Sequence, residues 1–189
     1  MQKYDIDWLE QQENVKYLFF WGHTKKKGEV NQSCFSQWYE SSFEVSGITY
    51  KTAEHWMMYH KALIFKNDDI ANKIIQCATP AEAKKLGRKV KGFDDKVWND
   101  ERYDLVRRGN IHKFNQNQSL GEYLLNTNNR VLVEASPVDA IWGIGLAKDN
   151  EKAQNVKDWK GLNLLGFALM EARDFLNEKG FFEGDSLPE

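Results

Sequence analysis

Cysteine, proline and long apolar runs are all scarce in this chain. Two cysteines among 189 residues, Cys34 and Cys77, are too few for a disulfide framework, and without CxxC spacing they offer no zinc site. Each reads as a small buried apolar residue. The four histidines, His23, His55, His60 and His112, form no HExxH-like pattern, so neither a catalytic metal nor any other cofactor is expected. No segment approaches the roughly 20 apolar residues of a membrane span, and the opening MQKYDIDWLEQQ lacks the apolar stretch of a signal peptide. The expectation is a cytoplasmic protein with no membrane partner. Surplus charge is missing too: a net charge of -2 and a pI near 6.1 give no global attraction to polyanions, so any nucleotide contact must be a local patch. GxSxG, GxxxxGK[ST] and GxGxxG are all absent, and Gly143-Ile144-Gly145 is too short to mark a dinucleotide fold.

What remains is an ordinary globular composition, 41% hydrophobic and 29% charged, long enough for one buried core and undivided by any Pro/Gly/Ser-rich stretch. One domain over 1–189 follows, with its core at about 17–178. Tryptophan is the exception to scarcity. Seven are present, and several stand beside Gly, His, Gln or Asp rather than in apolar runs, which suits either a pocket that stacks a planar ring or half-exposed packing.

The fold class reads as mainly α, of the α+β type. A short helix is predicted over Asp5 to Glu13, and a strand over Tyr17 to Trp21. The Gly22–Gln32 segment is a loop, and the alternation around Gly47 reads as a tight hairpin or a bent edge strand. Thr52 opens a helix. Thr79-Pro80-Ala81-Glu82 is a capping box with proline at the first helical position, and Gly87 offers the stop. Asn67, Asn99 and Ser119 are further candidate caps. Val131 to Glu134 reads as a strand feeding the glycine-containing loop Ser136 to Gly145, and Leu162 to Leu176 as an all-round apolar central helix.

Chemistry is concentrated in three places. Glu54 and Lys61 lie seven residues apart on the Thr52 helix, sharing a stripe about 10.5 Å long at 1.5 Å per residue. They cannot pair directly but could flank one ligand. Equally, Glu54 could compensate the helix dipole and Lys61 could be solvated. Asp139, three residues before Trp142, can face a cavity or cap a turn. Lys84, Lys85, Arg88, Lys89 and Lys91 complement a helix C-terminus or contact phosphate, for which Arg88 has the better bidentate geometry.

A series of ordered blocks then narrows the choice: Phe19-Phe20-Trp21-Gly22-His23, Phe35-Ser36-Gln37-Trp38-Tyr39, Tyr50 to Trp56 with Lys61, Ala83 to Arg88, and Lys113 to Asn117. Leu132 to Ser136, Asp139 to Leu146 and Trp159 to Gly166 complete it. Over about Phe19 to Leu176 the chain resembles the NADAR, or YbiA-like, family. The resemblance implies a compact domain of about seven to nine helices with a few short strands, and N-glycosidase activity. The implied catalytic set is Glu54, Lys61 and Asp139. The implied substrate contacts are Trp21, Gly22, Ser36, Gln37, Trp38, Arg88, Trp142, Gly143, Gly145 and Asn163. The implied substrate is a small phosphoribosylamino-pyrimidine of riboflavin biosynthesis, with ADP-ribosylated guanine in nucleic acid as the alternative and a non-catalytic ADP-ribose- or NAD-binding module as the rival. The lysine-rich insertion Lys25 to Glu29 could alter access, and the sequence leaves the oligomeric state open.

Cleaving a ribosyl C–N bond builds positive charge on the sugar and negative charge on the base, so a carboxylate near the anomeric carbon and a proton source near the base are required. Glu54 and Asp139 can divide these roles either way. Lys61 can stabilise a hydroxyl or phosphate, or attack the anomeric carbon to form a Schiff base.

Overall fold

The computed structural model describes residues 2–25 and 28–187, so Lys26 and Lys27 of the lysine-rich insertion lie outside the described residues. Among them are seven α-helices and four short strands: α1 (Ile6–Glu10), β1 (Tyr17–Phe20), β2 (Phe43–Val45), β3 (Ile48–Tyr50), α2 (Ala53–Ile64), α3 (Asp68–Gln76), α4 (Pro80–Gly87), α5 (Asp95–Gln116), α6 (Gln118–Leu125), β4 (Val131–Glu134) and α7 (Leu164–Lys179). The mainly helical α+β class read from the sequence is the observed one. No helix among the described residues is long and apolar enough to cross a membrane.

Two pairs of strands anchor the helices. β1 and β4 run parallel, with Tyr17 opposite Val131 and Phe20 opposite Glu134. β2 and β3 form the expected hairpin, turning at Ser46 (φ 54°) and Gly47 (φ 75°), the two positive φ values that match a tight turn to strand twist. Helix α7 is buried on nearly every face and lies between α5 and β4. A Cβ on Gly166 would come within 2.0 Å of the Leu132 carbonyl, so only glycine lets α7 approach the strand this closely. A second aromatic cluster of Phe43, Tyr50 and Trp56 seats the hairpin against α2, and the Trp56 indole N–H donates to the Leu105 carbonyl on α5 (2.9 Å).

Start signals held where they were local. Thr52 accepts from the His55 amide, and Thr79 with Glu82 completes a reciprocal capping box. Two helix starts moved, and one cap is absent. Helix α5 begins at Asp95, capped by Asp94 rather than Asn99, because the Asp94 side chain accepts from the Val97 amide. Helix α6 starts at Gln118, so Ser119 lies inside it rather than capping it. Asn67 precedes α3, but its side chain joins Lys91 instead of capping. The terminal helices shift as well: α1 stops at Glu10, and α7 spans Leu164–Lys179. Cys34 is fully buried, as expected, and Cys77 is half-buried beside His55.

Candidate active site

A cavity of about 670 Å³ opens between the N-terminal half of α2, the C-terminal end of α4, the ends of β1 and β4, and the Ser136–Trp142 loop. Its size falls within the roughly 300–1,000 Å³ usual for small-molecule sites. The parallel β1–β4 pair explains its position, since ligands gather beyond the carboxyl ends of parallel strands.

Glu54 lies in the first turn of α2. Its amide donates to the Gln37 carbonyl (3.0 Å), which ties the helix to the segment carrying Ser36 and Trp38. The residue is 3% exposed, and its Oε1 is buried with no hydrogen-bond partner. Burial pushes its carboxyl up to about 7, against the pull of Lys84, the Trp38 indole N–H and Arg88, and with a push from Asp139. A buried carboxyl oxygen without a partner costs free energy in a finished core. Facing a cavity, it is available to a ligand.

Two turns along the same helix, the Lys61 ammonium lies 4.3 Å from the Phe93 ring centre and 5.5 Å from that of Trp98. Burial lowers its proton affinity, and Glu54 acts in the opposite sense through space. Asp139 fulfils both of its readings: its Oδ1 accepts from the Ile141 and Trp142 amides (2.9 and 2.8 Å), fixing the turn, and the residue also lines the cavity. The hydrogen bonds hold the carboxyl in place without help from a ligand.

Aromatic walls complete the space. Trp21, 62% exposed, stands at the mouth beside Gly22, whose φ of 84° is a left-handed conformation. Trp38 is half-buried, 5.5 Å from the His23 ring and 5.7 Å from the Lys84 ammonium, and Trp142 closes the opposite side. Ser36 Oγ accepts from the Trp38 amide, and Gln37 donates to Asn110 (3.1 Å) while its Oε1 remains buried and unpartnered. Arg88 and Lys84, both on the basic stretch, reach the cavity from α4. One acid was not singled out from sequence. Glu134, at the last position of β4, lines the cavity with Oε2 buried and unpartnered, and its carboxyl is pushed up to about 8 by burial and by Asp139 and Glu54.

This set of acids, indoles and cations around one cavity coincides with a family signature: a profile of the NADAR domain matches residues 19–177. The chain belongs to the NADAR family. An N-glycosidase of Acanthamoeba polyphaga mimivirus is 41% identical over 169 residues, 86% of this chain and 97% of the viral protein. A riboflavin biosynthesis protein of Vibrio vulnificus is 31% identical over 150 residues, covering 79% of this chain but 37% of that longer protein. The NMR structure of the E. coli protein YbiA shares the fold, with a TM-score of 0.68, 91% of each chain covered and 23% identity.

In this NADAR protein, three residues expected at the substrate lie behind the cavity wall. Asn163 is fully buried, donating to the Leu132 carbonyl (2.9 Å) and accepting from the Glu134 amide (3.0 Å), so its amide group is spent on strand β4. At Gly143, an added Cβ would come within 2.8 Å of the Glu134 carbonyl. Gly145 adopts φ 66° and donates to the Asp139 carbonyl (3.1 Å). All three shape the loop that presents Asp139 and Trp142. The lining residues not expected at the site include Glu134, Ser136, Met57, Met58 and Trp98. For Glu134 one signal existed: a lone carboxyl closing the run Val131-Leu132-Val133, where a buried strand has no reason to carry charge.

Proposed function

We propose that this protein is an N-glycosidase that hydrolyses the bond between a base and a phosphorylated ribose, acting on a small phosphoribosylamino-pyrimidine of riboflavin biosynthesis. The carrying observation is Glu54: a buried, unpartnered carboxyl facing a cavity of nucleotide size, with Lys61, Lys84 and Arg88 around it. The likeness to a curated N-glycosidase along 97% of its length supports the reaction class. The likeness to a riboflavin biosynthesis protein supports the substrate class.

Catalysis in this reading divides by geometry. Indole faces at Trp21, Trp38 and Trp142 hold the planar base, and Arg88 with Lys84 takes the phosphate. Glu54 faces the positive charge that develops at the anomeric carbon, as a carboxylate does in sugar hydrolysis. Asp139, held rigid by its two amide contacts, orients the ribose hydroxyls. Lys61 holds a ribose or phosphate oxygen.

The deciding measurement is incubation with two phosphoribosylamino-pyrimidines and with ADP-ribosylated guanine, followed by mass spectrometry. Release of the pyrimidine with free ribose phosphate is the expected result. Release of guanine alone would move the substrate to modified nucleic acid, and recovery of every ligand intact would make the protein a binding module. Borohydride added during turnover leaves no adduct on Lys61 if that lysine acts by charge alone; a trapped adduct would assign it the Schiff-base role.

A further inference from the structure

The backbone around Glu134 is held from three sides. Its amide is bound by Asn163 Oδ1 (3.0 Å), its carbonyl accepts from the Ile144 amide (2.9 Å), and the residue sits opposite Phe20 in the parallel pair. Asn163 and Gly143 pack against its main chain as well as shaping the loop beyond it. The side chain itself is free of hydrogen bonds at Oε2, enclosed, and directed into the cavity. A main chain fixed this firmly behind an unpartnered carboxyl is the arrangement expected of a group whose partner is a ligand.

Charge separates Glu134 from Glu54. Around Glu54 stand Lys84 and Arg88 from α4, the Trp38 indole N–H and, along α2, Lys61, all favouring its ionised form; burial, and then Asp139, oppose them. Around Glu134 the acting charges are Asp139 from the loop and Glu54 from α2, both opposing ionisation, with Lys84 the one cation in favour. Arg102 on α5 interacts through space with Asp139. Cleavage needs one protonated and one ionised acid, and the cations of α2 and α4 favour ionisation at Glu54. We infer that Glu134 is the proton donor to the departing base and that Glu54 is the carboxylate on the ribosyl side.

This assignment rests on the N-glycosidase reading and completes its chemistry. The C1′–N bond breaks with its electron pair going to nitrogen, and the Glu134 proton passes to that nitrogen, leaving a neutral amino-base. Water adds its oxygen to C1′ and gives one proton to Glu54. The proton then returns from Glu54 to Glu134, so the net change is water added across the C–N bond. Burial holds both carboxyls above the usual carboxylate range, and Asp139 pushes both further up. Activity is expected to rise as Glu54 ionises and to fall as Glu134 does.

The test compares Glu134→Gln with the wild type on two leaving groups. A phosphoribosylamino-pyrimidine needs a proton to depart, whereas 4-nitrophenyl ribofuranoside 5-phosphate departs as a stable phenolate. On the first, kcat/KM should fall about 10²–10⁴-fold. On the second it should change little, and the alkaline limb of the pH profile should vanish. Glu54→Gln should lose activity on both. Glu134→Asp, which keeps an acid on a shorter arm, should retain part of the activity and the alkaline limb. Equal losses on both leaving groups in Glu134→Gln, or an unchanged alkaline limb, would overturn the assignment while leaving the N-glycosidase reading intact. A wild-type protein that cleaves neither compound would remove both.

Discussion

Lys113 and Glu54 are buried to the same degree, 0% and 3% exposed, yet the fold treats them in opposite ways. The Lys113 ammonium donates to the Cys34 and Ser36 carbonyls (2.7 and 2.9 Å), and through them it fixes the segment that carries Ser36, Gln37 and Trp38. Glu54 keeps a buried oxygen with no partner. Depth alone does not separate a charge that the fold satisfies from one that it leaves open. Satisfaction does: a charge bonded to main-chain carbonyls is finished, whereas one facing a cavity unpaired is still waiting for its partner.

The sharpest way to break this contrast is to neutralise Glu54. Glu54→Gln should cost at least about 10³-fold in kcat/KM, read in steady-state assays. It should also make the protein more stable at pH 8. Both cavity glutamates hold a proton more tightly folded than unfolded. Their contribution to stability is complete below the ordinary value of 4.5 and is lost as pH rises through about 7 and about 8. Melting temperatures from pH 5 to 8 should therefore fall less in Glu54→Gln than in the wild type. An equal fall would place Glu54 among the structural charges.

Lys113→Met gives a smaller effect of a different kind. It leaves the Cys34 and Ser36 carbonyls without a donor, a loss of about 2–4 kcal/mol in urea unfolding. Lys113 binds its proton less tightly folded, at about 8 against an ordinary 10.5, so its presence makes stability rise with pH between those values. The variant should lose that rise, and a variant that kept it would show that other groups titrate there. The smallest effect belongs to Trp21→Leu. An exposed ring at the cavity mouth should change stability by no more than about 0.5 kcal/mol while raising KM. A drop in stability with unchanged KM would make Trp21 a packing residue.

Much of the architecture was legible because its signals are local. A capping threonine and a proline at the first helical position specify α4 without reference to anything distant, and the Ser46-Gly47 turn does the same for the hairpin. Asn99 misled because Asp94, five residues earlier, is an equally good cap; it takes the Val97 amide, and the extra turn brings Trp98 over to the Lys61 ammonium. In the site, one helical stripe aligned Glu54 with Lys61 and spacing set Asp139 near Trp142, but only the family resemblance joined the three into one set. Glu134 was not legible, since a single carboxyl at a strand end has no spacing partner; its setting exists only once β4 pairs with β1. Gly143, Gly145 and Asn163 stand outside the cavity lining for a related reason, because glycine and asparagine in a loop serve backbone conformation as readily as ligand contact.

The pairing of residues 17–20 with 131–134 sets an order of events during synthesis. More than half the polypeptide must emerge before β1 meets its parallel neighbour, and Asn163, which fastens the Glu134 amide, emerges later still. The cavity therefore gains the walls supplied by β4 and the Ser136–Trp142 loop only after α2 and α4 have been made.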